Sequence, residues 1–300
     1  MTKPWLHRFL SRFFLSGCSD YNPLEVRRAC RSKSQARTAF AQNNLPYAQG
    51  STFVNPISAL KFAKKHAFPL VVKPNVGGFS RGAYFPINNN TALLKASIGV
   101  KKWWPVSIIE QYLLGKNYRV VMTKLGVMSI LRRYPPFVIG NSTSDISQLI
   151  DDENLIRKQM DLLPIVHPIP KNSAIKRHLK QQKMCLSSVP VAGQKVYLHH
   201  KIALKLGSSV EIIDKKVLTR QNKQDLEKIL TFFDANILGI DVICEQGIEV
   251  DFNAQACIFL ELNSRPFLKM HDKPRYGEQE DLSDFYQQLN KIKVTDNEKY

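Results

Sequence analysis

Two apolar runs near the C-terminal end each hold one acid where a buried strand would be expected to place another apolar residue. They are Ile237-Leu-Gly239-Ile-Asp241-Val-Ile-Cys244 and Ile258-Phe-Leu-Glu261-Leu-Asn263. Their length and β-branched content predict strands. Just before the first, Leu226, Ile229, Leu230 and Phe233 fall at helical spacing and predict a helix over 223–235. Upstream, Ser32 or Ser34 can cap a helix that runs to about Gln42, with Ala36, Ala39 and Phe40 on one face. Asn55-Pro56 opens another helix, because Asn accepts a bond as N-cap and Pro is pre-organised for the first helical position. It ends before Phe68-Pro69. Strands are expected over 70–73 and 106–111, and a hairpin pairs 118–123 with 127–133 about Lys124-Leu-Gly126. Residues 155–185 mix polar and apolar positions, Pro164, Pro168 and Pro170 mark loop, and a helix is expected over 172–182.

A carboxylate inside a strand costs several kcal/mol unless something compensates it. Hard cations such as Mg²⁺ take oxygen ligands and commonly recruit one or two carboxylates plus a substrate phosphate. Asp241 and Glu261 therefore point to a metal-nucleotide; strand-end salt bridges to the many lysines account for them about as well. A second feature lies upstream. Leu70-Val-Val-Lys73-Pro74 runs into Asn-Val-Gly77-Gly78-Phe-Ser80-Arg81-Gly82. The N–H groups of a glycine-rich loop can converge on phosphate oxygens, and Lys73 and Arg81 would add fixed positive charge. The P-loop and dinucleotide-binding patterns are both absent. A plain hairpin turn is the competing explanation for this loop.

Composition narrows the class. Three hundred residues, 44% hydrophobic, suffice for one or two ordinary domains. The net charge of +18 favours an anionic ligand, yet the basic residues are dispersed and no nucleic-acid-binding motif accompanies them. Cys18, Cys30, Cys185, Cys244 and Cys257 form no C-x-x-C pair, which points to a reducing, cytoplasmic setting with packed thiols at 244 and 257. His199-His200 lacks zinc-type spacing and is expected at surface or strand positions. Leu15-Ser-Gly-Cys18 matches a lipoprotein cleavage box, but His7, Arg8 and Arg12 interrupt the apolar segment that export requires; an interfacial amphipathic helix is the alternative. No apolar run is long enough to span a bilayer.

Taken together, these stretches resemble the ATP-grasp superfamily. Lys73-Pro-Asn-Val-Gly-Gly-Phe-Ser-Arg-Gly82 looks like its phosphate-covering loop, and Asp241 with Glu261-Leu-Asn263 looks like its Mg²⁺ ligands. Ile109-Glu110-Gln-Tyr112-Leu-Leu-Gly115-Lys-Asn-Tyr-Arg119, Arg133-Tyr-Pro-Pro-Phe-Val-Ile-Gly140, Leu186-Ser-Ser-Val-Pro190-Val-Ala-Gly193 and Asn263-Ser-Arg-Pro266-Phe-Leu-Lys-Met-His271 narrow the likeness to the cyanophycin synthetase and bifunctional glutathione synthetase branch. It extends over roughly residues 20–290 in unbroken order. The resemblance implies an α+β ATP-grasp fold, two mixed subdomains gripping ATP between antiparallel sheets. It implies an extension over 1–30, a lid subdomain over 31–112 and a metal-bearing subdomain over 113–300.

It further implies a carboxylate–amine ligase that uses ATP and Mg²⁺, with two ions expected and Mn²⁺ as an alternative. Asp241, Glu261 and Asn263 would hold metal. Lys33, Lys73, Gly77, Gly78, Ser80, Arg81 and Gly82 would meet phosphates, although an exposed first-turn lysine explains Lys33 as well. The backbone of Glu110, Gln111 and Tyr112 would meet adenine, and Arg265, Arg119 and Arg133 are candidates for the carboxylate or acyl phosphate. An amino acid or peptide carboxylate and an amine are the implied substrates, and a homo-oligomer is compatible.

Departures fall on the acceptor side. Asn117 stands where the branch has Asp, Gly140-Asn-Ser142 replaces Gly-Asp-Gly, Ala203-Leu-Lys-Leu-Gly207-Ser208 replaces Asn-Leu-Ser-Thr-Gly-Gly, and Phe267 replaces Gly. The further domains of both relatives are not recognisable in these residues, so a stripped ATP-grasp unit is expected. A lapsed ligase kept as an ATP-binding regulator, and a basic polyanion-binding protein, are the competing readings.

Overall fold

The computed structural model describes residues 21–30, 32–76 and 82–292. Residues 1–20, including the lipoprotein-like box, and Gly77, Gly78, Ser80 and Arg81 lie outside the described residues. The strands are β1 (Gly50–Phe53), β2 (Leu70–Pro74), β3 (Tyr84–Ile87), β4 (Ser107–Gln111), β5 (Lys116–Thr123), β6 (Gly126–Tyr134), β7 (Phe137–Ile139), β8 (Lys195–Tyr197), β9 (Ser209–Ile213), β10 (Ile237–Cys244) and β11 (Cys257–Asn263). The chain divides into two compact units, one of residues 1–130, 214–268 and 281–300, the other of residues 131–213 and 269–280.

The first unit contains the antiparallel sheet β1-β4-β2-β3. Leu70, Val72, Ile87 and Ile109 line one face of it and pack with Ala59 and Ala63 of helix Pro56–His66 and Leu93 and Ala96 of helix Asn90–Gly99. Both helices start where Asn supplies the cap: Asn55 accepts from Ser58 N at 3.0 Å and Asn89 from Ala92 N at 2.8 Å. In its second sheet, β11 lies beside β10, β10 beside β5 and β5 beside β6. Gly126 turns the β5–β6 hairpin at φ 104°, a conformation that glycine adopts without Cβ strain. Helix Lys33–Gln42 packs on β11 through Phe40, whose ring centroid lies 5.4 Å from that of Phe259.

Residues 21–30, which read from the sequence as part of an extension, are built into this unit. Asn22 is fully buried; its amide donates to Ile237 O at 2.6 Å and Ser264 O at 2.7 Å, and its carbonyl accepts from Asn236 N at 2.8 Å. A lone asparagine bonding to chain more than two hundred residues away leaves no periodic signal.

The second unit packs Ile146, Leu149 and Ile150 of helix Ile146–Gln159 with Ile175 and Leu179 of helix Ser173–Gln181, and with Val138 and Val196 of the β7–β8 pair. The helix starting at Ile146 was not apparent from periodicity. Its C-terminal apolar residues Leu155 and Ile156 are exposed, and polar residues 151–154 interrupt the stripe. The helix expected over 223–235 spans Arg220–Phe232, because Thr219 caps it by accepting from Asn222 N at 3.0 Å. No described helix is long and apolar enough to cross a membrane.

Candidate active site

Strand register assembles the site. Asp241 on β10 stands opposite Glu261 on β11, and on its other side opposite Arg119 on β5. Directly opposed residues of antiparallel strands project to the same face. Asn263 follows Glu261 by two residues and shares that face, opposite Gly239. A Cβ at Gly239 would come within 3.0 Å of Pro266 Cβ and 3.4 Å of Asn263 Cβ, so glycine there leaves room for the amide and the chain turning past it.

These acids are compensated by cations. Asp241 accepts from Arg119 Nε at 2.7 Å and from Nη2 at 2.9 Å, and both side chains are largely buried. Lys33 Nζ lies 3.5 Å from Glu261 Oε2. The helix that carries Lys33 is placed by Asn75 just beyond β2: Lys33 N donates to Asn75 O at 3.2 Å, and Ser34 N to Asn75 Oδ1 at 3.2 Å. Ser32 precedes the helix as expected, but its side chain makes no capping bond. Of the two explanations read from the sequence, the structure shows ion pairs, with Asp241 in mid-strand paired to an arginine and Glu261 to a lysine; Asp241, Glu261 and Asn263 also share one face of the sheet. Two carboxylates and an amide suit Mg²⁺, provided that the metal displaces the guanidinium. Among the described residues no cluster of three or more His, Cys, Asp or Glu could hold a metal.

On the other sheet, Lys73 Nζ lies 2.5 Å from Glu110 Oε2, in a pair with side chains 12% and 3% exposed. Glu110 sits on the central strand β4, between β1 and β2. The next two N–H groups are spent inside the unit: Gln111 N donates to Gln49 O at 3.0 Å and Tyr112 N to Pro69 O at 3.2 Å. Burial pushes the Tyr112 phenol above its usual range. Gly82, the last residue of the glycine loop, has φ 68° and packs so closely on the Trp103 ring that a Cβ would come within 2.5 Å of it. Arg265 is half-buried just beyond β11. Arg133 is half-buried on β6 and belongs to the second unit, so it is not grouped with the others.

Sequence reasoning missed Arg37. It lies one turn beyond Lys33 on the same helix, and its Nε and Nη1 are buried with no hydrogen-bond partner. A Cβ at Gly50 would fall 2.3 Å from Arg37 Nη1 and 2.6 Å from Glu110 Cγ, so the guanidinium lies against Gly50, close to the Lys73–Glu110 pair. Its i+4 spacing from Lys33 was the available signal.

The comparisons with known proteins bear on the fold. No family model matches the chain. Over 90% of its length it superposes on the crystal structure of a bifunctional glutathione synthetase from Pasteurella multocida, with a TM-score of 0.63, 18% identity and 38% of that chain covered. The fold is the ATP-grasp fold. By sequence, this chain is similar to cyanophycin synthetase of Trichormus variabilis, 25% identical over 258 residues, covering 85% of this chain and 28% of that protein. It is also similar to the glutathione biosynthesis bifunctional protein GshAB of Clostridium perfringens, 27% identical over 253 residues, covering 82% of this chain and 32% of that protein. The chain thus spans about a third of the length of these curated relatives.

Proposed function

We propose that this chain is an ATP-dependent carboxylate–amine ligase. The observation that carries the reading is the row Arg119–Asp241–Glu261–Lys33 with Asn263 beside it, a hard oxygen set flanked by cations on an ATP-grasp sheet. Mg²⁺ held by Asp241, Glu261 and Asn263, with two ions expected and Mn²⁺ able to substitute, would neutralise charge on the β- and γ-phosphates.

The residues of the chain act by positioning and charge rather than as nucleophiles. Lys33 and Lys73, paired with Glu261 and Glu110 respectively, would supply positive charge to phosphate oxygens. Lys73 is paired with Glu110; because the N–H groups of Gln111 and Tyr112 are spent inside the unit, the proposed adenine contact at Glu110–Tyr112 falls to the other backbone groups of that segment. A substrate carboxylate oxygen attacks the γ-phosphorus, the bond to the ADP oxygen breaks, and an acyl phosphate results. Arg265 is proposed to hold this carboxylate, since a guanidinium fork matches its two oxygens. The amine then attacks the acyl carbon, loses a proton and expels phosphate, leaving an amide. An amino acid or peptide is the proposed carboxylate donor, which the net charge of +18 would attract.

The test is calorimetry with ATP and Mg²⁺, followed by phosphate release across pooled amino acids and acidic dipeptides. Nucleotide binding with phosphate release that needs both a carboxylate and an amine is the expected result. Binding without turnover would support the lapsed, regulatory reading. Absence of nucleotide binding would overturn the proposal.

A further inference from the structure

The Arg119–Asp241 pair occupies the position where the proposed metal must bind. Both oxygens of Asp241 accept from one guanidinium, at 2.7 and 2.9 Å, and the two side chains are 12% and 4% exposed. Their placement is enforced by the ladder: Arg119 and Asp241 are direct partners across β5 and β10, so they share a face whatever their rotamers. At the other end of the row, Lys33 lies 3.5 Å from Glu261.

A divalent ion arriving alone would have to break at least one charge-assisted hydrogen bond of this fork. It would also leave a guanidinium beside itself in a poorly solvated site. Like charges so placed repel far more strongly than in water. Mg²⁺ also dehydrates reluctantly. A nucleotide changes both terms, because its phosphate oxygens bring negative charge and geometry that accept a displaced guanidinium.

We propose that Arg119 is a built-in counter-ion that blocks Asp241 against free divalent metal and yields it only when metal arrives with an anionic nucleotide. This rests on the assignment of Asp241 as a metal ligand under the proposed function. Metal and nucleotide binding are then positively linked, and by thermodynamic reciprocity each raises affinity for the other by the same factor. Arg119 is a positioning residue in this role.

The experiment uses Mn²⁺ alone as the probe, read by electron paramagnetic resonance and calorimetry on the nucleotide-free 300-residue chain. Wild type is expected to bind Mn²⁺ weakly at this site. Arg119→Gln is expected to bind it on the order of tenfold more tightly, the equivalent of about 1.4 kcal/mol. Adding Asp241→Asn to that variant should abolish the gain. Because Arg119→Gln removes the guanidinium fork from a buried carboxylate and can fail to fold, Arg119→Lys provides the second arm. It keeps a charge but loses the fork, and should show an intermediate gain. Equal Mn²⁺ affinity in wild type and whichever variant folds would overturn the proposal. So would a gain that survives Asp241→Asn. Titration of wild type with ATP and Mg²⁺ separates the two failures: no nucleotide binding sinks the ligase reading, whereas nucleotide binding with unchanged Mn²⁺ affinity sinks the counter-ion role alone.

Discussion

Lys73 and Glu110 form a close ion pair between β2 and β4, Nζ to Oε2 2.5 Å, with Glu110 buried in the central strand of its sheet. Lys73 is therefore a structural partner before it meets any phosphate. Removing one member of a buried pair costs about 3–5 kcal/mol, because the other is left uncompensated. Lys73→Ala is therefore expected to lose stability in urea denaturation. Lys73→Met combined with Glu110→Gln should recover most of that loss, while calorimetry still shows weakened ATP binding. Recovery of both would remove Lys73 from the site.

Glu261 offers the cleaner test. Its side chain is 28% exposed and its contact with Lys33 is long, 3.5 Å. Lys33 is itself only 11% exposed, but at this separation, with Glu261 partly solvated, the pair contributes on the order of 1 kcal/mol. Glu261→Gln should thus leave the melting temperature within a degree or two of wild type and sharply reduce the Mg²⁺-dependent part of ATP affinity. Comparing calorimetry with and without Mg²⁺ reads this directly; an unchanged Mg²⁺ effect would take Glu261 out of the metal set.

Arg37 carries buried N–H groups without partners. Unmet buried donors are destabilising, and replacing them with an apolar group of similar shape is often neutral or favourable. Arg37→Met is expected to hold or raise the melting temperature. If the guanidinium serves the nucleotide, the same variant should weaken ATP binding by about tenfold, near the lower end of what one charge-assisted hydrogen bond supplies. A more stable protein with unaltered affinity would mark Arg37 as a packing imperfection.

Three imidazoles gather in the second unit: the rings of His199 and His200 have centroids 4.6 Å apart, and His178 lies 6.0 and 5.8 Å from them. Burial, reinforced by neighbouring histidines and Lys201, pushes His199 and His200 down to about 4. His199 Nδ1 accepts from Lys201 N at 2.8 Å, which requires the neutral ring. Folded values below the unfolded value of about 6.5 mean that the unfolded chain takes up protons first as pH falls. Stability should decline from about pH 6.5 toward 4, and His199→Gln with His200→Gln should flatten that decline in chemical denaturation. A decline of the same size in the double variant would assign acid sensitivity elsewhere.

Much of the local structure is legible in the sequence because it depends on short-range chemistry. Asn55-Pro56 opens its helix, Lys124-Leu-Gly126 turns its hairpin, and the runs around Asp241 and Glu261 form the expected strands. The proposed ligands Asp241 and Glu261 could be singled out because an acid interrupting an apolar strand is conspicuous; Asn263 was legible only through the resemblance. Their grouping with Arg119 was not legible, since it depends on which residue of β10 faces which residue of β5 and β11. A one-residue slip of register would turn every such side chain to the other face. Tertiary packing alone also decided that Asn22 is tied to β10, that Asn75 seats the helix carrying Lys33, and that Lys73 is paired. Sequence patterns record preferences over a turn or a strand; long-range hydrogen bonds and ion pairs between single residues have no period, and only the folded chain brings them within reach.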